Sequence, residues 1–253
     1  MEELVSVILA AGLGKRMKSK YPKVIHKVCG KPMIKWVVEA AKEAGSKKVI
    51  VVVGHGREMV EEVLGNEVIY AYQEVQLGTG HAVMMAEEFL PEKGEVLILT
   101  GDTPLITSDT LRRLIGYHFE RRNDVTILSS VFDDPTGYGR IIRNESGDVV
   151  KIVEEKDASE EEKRVKEINS GMYVVNISKL KDALKKITND NAQGEYYLTD
   201  AVEIIRNMGG KIGAIAGESE EIIGVNSRIQ LSVAEKEMRR RINEKHMENG
   251  VTI

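Results

Sequence analysis

The amino-acid sequence predicts an α/β fold: a doubly wound, mostly parallel sheet with a small antiparallel insertion and a long C-terminal helix. Short runs of β-branched residues, of which 48–53 is the clearest, alternate with segments whose apolar residues recur at helical spacing. Those runs are almost continuously apolar, which is typical of strands buried on both faces of a parallel sheet. In such a fold, ligands bind beyond the carboxyl ends of the strands.

The first half of the chain has clear boundary signals. Pro32 stands at a plausible first helical position and Gly45 follows the last apolar residue of the same segment, so a helix is expected at 32–44. Thr107 or Ser108 is expected to cap a later helix. Predicted strands occupy the first half of 5–17, then 48–53, 68–72, 96–99 and 125–131, and predicted helices occupy 32–44, 57–64, 78–89 and 108–121.

The pattern changes after Val131. Strands are predicted at 138–142 and 149–153 around the turn-forming residues 144–147, which indicates an antiparallel insertion over the ligand-binding edge. The charge run 236–241 is interpreted as a solvated helix face. The remaining predicted elements are a strand at 171–175, helices at 178–186 and 198–208, a strand at 211–216 and a long helix at 227–247.

The segment 5–17 begins as a strand and ends as a glycine-containing loop with cations, which favours a polyphosphate site. Gly12 and Gly14 allow positive φ and close backbone approach, and three cations follow, Lys15, Arg16 and Lys23. The dinucleotide-binding fingerprint and the Walker pattern both fail here. An ordinary strand-to-helix turn with solvated cations would give the same local pattern, so the loop alone leaves both interpretations open.

Composition excludes several classes of protein. The 253 residues include 36 Lys plus Arg against 40 Asp plus Glu, and this formal charge of −4 gives no global basic field for nucleic acid. Cys29 is the only cysteine, so no internal disulfide and no cysteine zinc cluster can form. We found no signal-peptide pattern and no apolar run long enough to span a bilayer. The sequence therefore predicts a cytoplasmic protein without a membrane partner.

Eight ordered motifs carry a family resemblance. The loop 9–17, read with Pro22 and Lys23, resembles the nucleotide loop of the sugar-1-phosphate nucleotidyltransferases. Further segments resemble the uridyltransferase half of the bacterial bifunctional N-acetylglucosamine-1-phosphate uridyltransferase/glucosamine-1-phosphate acetyltransferase family, namely 73–82, 101–105, 135–141, 152–154, 167–171, 191–200 and 224–228. This resemblance implies the Rossmann-like fold of the nucleotide-diphospho-sugar transferases.

The resemblance also implies a nucleotide site and a cation site. Arg16 and Lys23 would bind the triphosphate and act in catalysis together with Asp102. Asp102 and Asn226 would bind Mg²⁺, a cation that prefers oxygen ligands and also binds substrate phosphates. Uracil offers two carbonyl acceptors and one imide donor, which a carboxamide and a backbone N–H can complement. The implied nucleotide-binding residues are Leu9, Ala10, Ala11, Gly12, Lys23, Gln73, Gly78 and Thr79.

A sugar-phosphate site is implied in the second half of the chain. Glu154 would accept hydrogen bonds from sugar hydroxyls, and Asn169 would contact a hydroxyl or the acetamido group. The implied reaction is an Mg²⁺-dependent in-line attack on the α-phosphorus of UTP by N-acetylglucosamine-1-phosphate, giving UDP-N-acetylglucosamine and pyrophosphate. The implied sugar-binding residues are Thr100, Gly139, Glu154, Asn169, Tyr197 and Thr199, whereas all five histidines are interpreted as structural or surface residues.

The resemblance implies a nucleotidyltransferase domain at 1–227 and a linker helix at 228–253. The helix would lead to a left-handed β-helix domain through which full-length family members trimerise, and the chain is expected to be truncated before that domain. Another NTP or sugar phosphate remains an alternative, because uracil and thymine differ only by a methyl group. A non-catalytic nucleotide-sugar sensor is a second alternative, disfavoured because Arg16, Lys23, Asp102 and Asn226 are all present.

Overall fold

The computed structural model describes residues 4–253, which fold into one central sheet with helices on both faces. The strands are β1 (Leu4–Leu9), β2 (Lys27–Val28), β3 (Lys31–Pro32), β4 (Lys48–Val53), β5 (Ile69–Tyr72), β6 (Glu95–Thr100), β7 (Val125–Val131), β8 (Arg140–Arg143), β9 (Val149–Val153), β10 (Glu167–Asn176) and β11 (Ile212–Ala216). The helices are α1 (Met33–Glu43), α2 (Arg57–Leu64), α3 (Thr79–Ala86), α4 (Ser108–Arg121), α5 (Ile177–Leu184), α6 (Thr199–Asn207) and α7 (Arg228–Glu248).

The order of strands in the main sheet is β11-β7-β10-β6-β1-β4-β5. The β1, β4, β5 and β6 neighbours pair in parallel, as do β7 and β11, so the predicted, mostly parallel α/β sheet is confirmed. Strand β10 runs antiparallel to both of its neighbours, β6 and β7. Strands β8 and β9 form an antiparallel hairpin that joins the sheet through β10, as the predicted insertion requires.

Alternating side chains of the central strands supply two apolar layers, one on each face of the sheet. In β4, Ile50 and Val52 pack into one layer, whereas Val49, Val51 and Val53 pack into the other. All five side chains are buried, which explains why the sequence of this strand is apolar without alternation. The sheet is thus a rigid support whose carboxyl edge carries the loops described below.

Capping side chains set the starts of two helices. Helix α4 spans the predicted residues 108–121, and of the two expected caps it is Thr107 that acts, because its Oγ1 accepts a hydrogen bond of 3.2 Å from the backbone N–H of Thr110. Helix α5 begins at Ile177 rather than at residue 178, because the Asn176 side chain accepts from the backbone N–H of Lys179 and caps it one residue earlier. In both helices a polar side chain just before the first turn accepts from a backbone N–H that would otherwise have no partner in the helix.

Helix α7 lies against the body of the protein through its amino-terminal half. Ala234 and Met238 are buried in a small apolar cluster with Val28, Met33, Leu105 and Val225. The charge run is solvated at Arg239 and Arg240, whereas Arg241 reaches inward and donates a 2.8 Å hydrogen bond to the carbonyl of Leu105. Within residues 4–253, no helix combines the length and apolar character needed to cross a bilayer.

Candidate active site

An open cleft of ≈ 490 Å³ lies at the carboxyl edge of the sheet, where β1 and β6 end. All of the residues predicted to bind nucleotide or metal line this cleft. The lining comprises Leu9, Ala10, Ala11, Gly12, Leu13, Gly14, Lys15, Arg16, Lys23, Val24, Gln73, Gln76, Gly78, Thr79, Ala82, Thr100, Asp102, Glu195 and Asn226. The structure therefore brings together segments that are more than 200 positions apart in the chain.

The glycine loop that follows β1 forms one wall of the cleft. Gly14 adopts φ 59°, and a Cβ at this position would lie 2.9 Å from Cβ of Lys23, so a side chain would displace that lysine. Gly12 does not adopt the positive φ that a glycine allows at this position, and a Cβ there would meet nothing within 4 Å. Exposed Arg16 follows in a short 3₁₀ turn, where no acceptor within residues 4–253 hydrogen-bonds to it. A guanidinium held in this way can bind phosphate.

Lys23 lies between the two predicted metal ligands. Its Nζ donates a hydrogen bond of 2.7 Å to Oδ1 of Asn226 and forms an ion pair with Oδ2 of Asp102. The Lys23 and Asp102 side chains are only 16% and 15% exposed, so little water screens this pair. The backbone N–H of Val225 donates to the Asp102 carbonyl at 2.8 Å and holds the two segments together.

The oxygen atoms of Asp102 and Asn226 that face Lys23 are suitable ligands for a hard divalent cation. One carboxylate and one carboxamide oxygen face a common position, now filled by the Lys23 ammonium. No group of three or more His, Cys, Asp or Glu residues suited to a metal occurs in residues 4–253. Mg²⁺ is often bound by only one or two protein oxygens, with water and substrate phosphates completing its octahedron. Asp102 and Asn226 could therefore hold Mg²⁺, provided that Lys23 moves away.

The Gln73 side chain lies at the other end of the cleft. It is only 3% exposed, and its Nε2 donates hydrogen bonds of 3.0 Å to the carbonyl of Gly78 and to Nδ1 of His81. Gly78 adopts φ 110°, and a Cβ there would lie 2.5 Å from the carbonyl oxygen of Tyr196. Only glycine fits this position, which fixes the path of the loop beside Gln73.

Three hydrogen bonds join the loop at 77–80 to the segment at 196–198. The backbone N–H of Tyr196 donates to the carbonyl of Leu77 at 2.7 Å, and that of Gly80 donates to the carbonyl of Tyr196 at 2.8 Å. In addition, Oγ1 of Thr79 accepts from the backbone N–H of Leu198 at 3.1 Å. The predicted base-binding and sugar-binding segments therefore form one connected unit.

Gly139 just before β8, Glu154 just after β9 and Asn169 within β10 lie close together, and none of them lines the cleft. A Cβ at Gly139 would lie 3.5 Å from Oε2 of Glu154 and 3.6 Å from Cβ of Asn169. Thr199 donates a hydrogen bond of 3.1 Å to Oε1 of Glu154. Burial raises the pKa of the Glu154 carboxyl, the Thr199 hydrogen bond lowers it in part, and the nearby carboxylates, Asp200 foremost, raise it further.

The other predicted sugar-binding residues already have protein partners. Asn169 donates from Nδ2 to the Tyr173 hydroxyl at 2.7 Å, and its Oδ1 accepts from the backbone N–H of Gly171 at 3.1 Å. The hydroxyl of Tyr197 donates to Oδ2 of Asp157 at 3.2 Å. Burial is the largest cause that raises the pKa of Tyr197 to about 12, so this hydroxyl remains protonated.

Thr100 borders both the cleft and the group around Asn169. It lines the cleft directly, and a Cβ at Gly171 would lie 3.2 Å from its Cγ2. Its Oγ1 lies 2.5 Å from Oγ1 of Thr103. Thr100 is thus the point at which the predicted nucleotide and sugar regions meet.

Sequence reasoning gave no role to several residues at the site. Gln76 and Glu195 line the cleft, and Nε2 of Gln76 donates to the Gln73 carbonyl at 3.0 Å. Burial and, after it, the charge of Asp102 raise the pKa of the Tyr138 hydroxyl, and the charge of Arg16 lowers it in part. All three lie within the family motifs, but only Gln76, three positions after Gln73, offered a local signal.

A comparison with known families assigns the chain to a class of proteins. Residues 6–168 match the family model described as the MobA-like NTP transferase domain. Since this match covers more than half of the chain, the chain belongs to that family of NTP transferases.

Two individual proteins resemble the chain over its whole length. The chain is 88% identical over 253 residues to the "Bifunctional protein GlmU" of Caldanaerobacter subterraneus subsp. tengcongensis, covering 100% of this chain and 55% of that protein. It is 74% identical over 253 residues to the protein of the same name from Thermoanaerobacter pseudethanolicus, again covering 100% of this chain and 55% of the relative. The chain therefore spans about half the length of these curated relatives, and the predicted resemblance to a bifunctional family is confirmed.

A solved structure supports the fold. The structure is that of a Bacillus anthracis protein described as a candidate glucose-1-phosphate thymidylyltransferase in complex with sucrose. It superposes on this chain with a TM-score of 0.75 and covers 93% of this chain and 95% of its own. The two sequences are 21% identical, so this likeness concerns the fold alone.

Proposed function

We propose that this chain transfers a uridylyl group from UTP to N-acetylglucosamine-1-phosphate, giving UDP-N-acetylglucosamine and pyrophosphate. The observation that carries the proposal is the meeting of Lys23, Asp102 and Asn226 beside the glycine loop. This arrangement occurs in a chain 88% identical to a "Bifunctional protein GlmU". The function rests on both, because the fold alone is shared by transferases that use other nucleotides and sugars.

The residues at the phosphate end suit in-line transfer. An oxygen of the sugar phosphate attacks the α-phosphorus, the new P–O bond forms opposite the bond to the β-phosphate, and pyrophosphate leaves with the bonding electrons. Arg16 and Lys23 bind the triphosphate and offset the charge that develops on the departing group. A Mg²⁺ ion held by Asp102 and Asn226 would add further neutralisation of phosphate charge.

No side-chain nucleophile is required in this reaction, because the attacking oxygen belongs to the substrate. The contribution of the protein is to position two anions and to reduce the repulsion between them. Gln73 and the backbone of Gly78 hold the base at one end, and Thr100 lies where the two substrates would meet. Gly171 links the two regions, because a Cβ there would lie 3.2 Å from Cγ2 of Thr100 and its N–H donates to Oδ1 of Asn169, and this supports adjacent binding of both substrates.

The sugar-binding roles remain proposals that the contacts allow. Oε1 of Glu154 is occupied by Thr199, but no protein donor within residues 4–253 hydrogen-bonds to its Oε2, which can accept from a sugar hydroxyl. Asn169 has one Nδ2 hydrogen beyond its bond to Tyr173. The domain boundary at 227, the trimer of full-length relatives and a cytoplasmic location likewise remain predictions for this chain.

A pyrophosphate-release assay tests the function. UTP, dTTP, CTP and GTP should each be combined with N-acetylglucosamine-1-phosphate, glucosamine-1-phosphate and glucose-1-phosphate in the presence of Mg²⁺. We expect the highest kcat/KM for UTP with N-acetylglucosamine-1-phosphate. A higher value for dTTP with glucose-1-phosphate would assign the chain to a different sugar nucleotidyltransferase. Tight UDP-N-acetylglucosamine binding without turnover in any pair would indicate a sensor.

A further inference from the structure

The orientation of the Gln73 carboxamide is fixed from two sides. A primary amide carries two N–H groups, and both hydrogens on Nε2 of Gln73 have acceptors: the carbonyl of Gly78 and Nδ1 of His81, each at 3.0 Å. No donor within residues 4–253 hydrogen-bonds to the remaining polar atom, Oε1. Because Gln73 lines the cleft, Oε1 is the group that this side chain can offer to a ligand.

The contact also defines the tautomer of His81. A ring nitrogen that accepts a hydrogen bond carries no proton, so Nδ1 is unprotonated and the neutral ring carries its hydrogen on Nε2. Rotating the carboxamide by 180° would direct Oε1 at two lone pairs, those of the Gly78 carbonyl and the His81 nitrogen. The Gly78 carbonyl can only accept and therefore opposes the flipped amide in every case, whereas His81 opposes it as the Nε2–H tautomer, in which Nδ1 can only accept.

This orientation has a consequence for the choice of base. An oxygen acceptor complements the imide N–H of uracil or thymine, whereas the corresponding ring nitrogen of cytosine presents a lone pair. We propose that His81 is a positioning residue that makes Gln73 select an imide-type pyrimidine base over cytosine. The inference rests on the proposed function and assigns to one residue part of the nucleotide selectivity of that site.

The surroundings of His81 set it apart from the catalytic groups. It lies in the first turn of α3, half-buried, with its ring centroid 6.3 Å from that of Tyr196 in a tilted arrangement. It does not line the cleft and is hydrogen-bonded to neither Lys23 nor Asp102. An apolar residue could also pack against Tyr196, but only a side chain with an acceptor can hold the Gln73 amide.

Two variants separate the acceptor from the bulk of the ring. His81→Asn keeps an acceptor at the position of Nδ1. His81→Leu keeps most of the bulk of the ring but has no acceptor. We expect the ratio of kcat/KM for UTP to that for CTP to fall roughly three- to tenfold in His81→Leu, the equivalent of one neutral hydrogen bond, and to be largely retained in His81→Asn. The KM for the sugar phosphate should stay unchanged in both variants. His246→Leu, on exposed α7, controls for the loss of a histidine.

A purely structural role would slow UTP and CTP equally and leave their ratio unchanged. An unchanged ratio in a His81→Leu protein with wild-type melting behaviour would overturn the inference. If the variants fail to fold, long-range ¹H–¹⁵N NMR of the wild-type imidazoles decides, because a proton on Nδ1 of His81 contradicts the proposed contact. A wild-type enzyme without a preference for UTP over CTP would contradict the proposed function, and the tautomer would then still decide whether His81 orients Gln73.

Discussion

Lys23 donates a hydrogen bond of 2.7 Å to Oδ1 of Asn226, although 203 positions separate the two residues in the chain. The same ammonium pairs with Asp102, so one internal cation holds the two oxygen ligands at a common point. A buried carboxylate without a counter-charge is costly, and Lys23 offsets that cost. Lys23 is thus both a phosphate-binding candidate and a competitor for the proposed cation position.

Replacing Lys23 should affect metal and nucleotide in opposite directions. In Lys23→Met, we expect Mn²⁺ to bind several-fold more tightly without nucleotide, because the competing ammonium is gone, and UTP to bind more weakly, because a phosphate partner is lost. Electron paramagnetic resonance titration of Mn²⁺ and calorimetry of UTP measure the two effects. Lys15→Met is the matched control for the Mn²⁺ titration, since exposed Lys15 has no hydrogen bond to Asp102 or Asn226. Equal Mn²⁺ affinity in wild type and Lys23→Met would show that Lys23 does not occupy the cation position in solution.

Asp102 should be indispensable for turnover but not for folding. We expect Asp102→Ala to lower kcat roughly 10²- to 10⁴-fold, because a bound metal ion contributes several kcal/mol of charge stabilisation in the transition state. Thermal melts should show a cooperative transition, because the apolar layers of the sheet do not involve this residue. Asp102→Ala protein with near wild-type kcat would remove this residue from the proposed metal site.

Local sequence signals predicted the elements that depend on neighbouring residues. Strand β4 follows from its apolar run, and helix α4 follows from the capping residues at its start, Thr107 and Ser108. The two-residue strands β2 and β3 were missed, because such short segments carry no periodic pattern. The antiparallel direction of β10 was missed too, since direction depends on which distant strands it joins.

In the candidate site too, the residues could be predicted from the sequence but their contacts with distant residues could not. The family resemblance predicted Lys23, Asp102 and Asn226 as candidate site residues, but no local pattern could show that Lys23 lies between the other two. Likewise, Gln73 was named as a base-binding residue, whereas the bond to His81 that orients it depends on the path of the loop between them. The types of residue at a site could be predicted, but their mutual contacts required the fold.

The joined loops at 77–80 and 196–198 should be sensitive to one methyl group. A Cβ at Gly80 would lie 2.9 Å from the carbonyl oxygen of Tyr196, and this backbone atom cannot move without opening the connection. We expect Gly80→Ala to raise KM for both substrates and to lower the free energy of unfolding by about 1–3 kcal/mol. Steady-state kinetics and urea denaturation measure these changes.

Gly116→Ala provides the contrast. Gly116 is exposed within α4, has no left-handed backbone, and a Cβ there meets nothing within 4 Å. We expect this change to raise the free energy of unfolding by about 0.5–1 kcal/mol and to leave the kinetics unchanged. If Gly80→Ala behaved like Gly116→Ala, the connection between the two loops would have no role in substrate binding.

Asp200 should make the protein less stable at neutral pH than its asparagine variant. Burial, followed by the charges of Glu203 and Asp157, raises the pKa of Asp200 from 3.8 to about 6. Between pH 3.8 and about pH 6, the folded state therefore keeps a proton on the Asp200 carboxyl that the unfolded state has already lost. The stability that this proton provides is complete below pH 4 and is lost as pH rises toward 6. Because Asp200 is only half-buried, solvent screening reduces the effect to about 1 kcal/mol.

The measurement compares wild type and Asp200→Asn by chemical denaturation at pH 4.0 and at pH 7.5. Asparagine cannot ionise, so the variant avoids the cost of charging a carboxyl beside Glu203 and Asp157. We expect the variant to be more stable than wild type at pH 7.5, with most of this advantage absent at pH 4.0. An advantage of equal size at both pH values would mean that Asp200 titrates normally and that the substitution acts through packing instead. A loss of stability at pH 7.5 would mean that the Asp200 carboxylate makes a favourable contact that outweighs its burial.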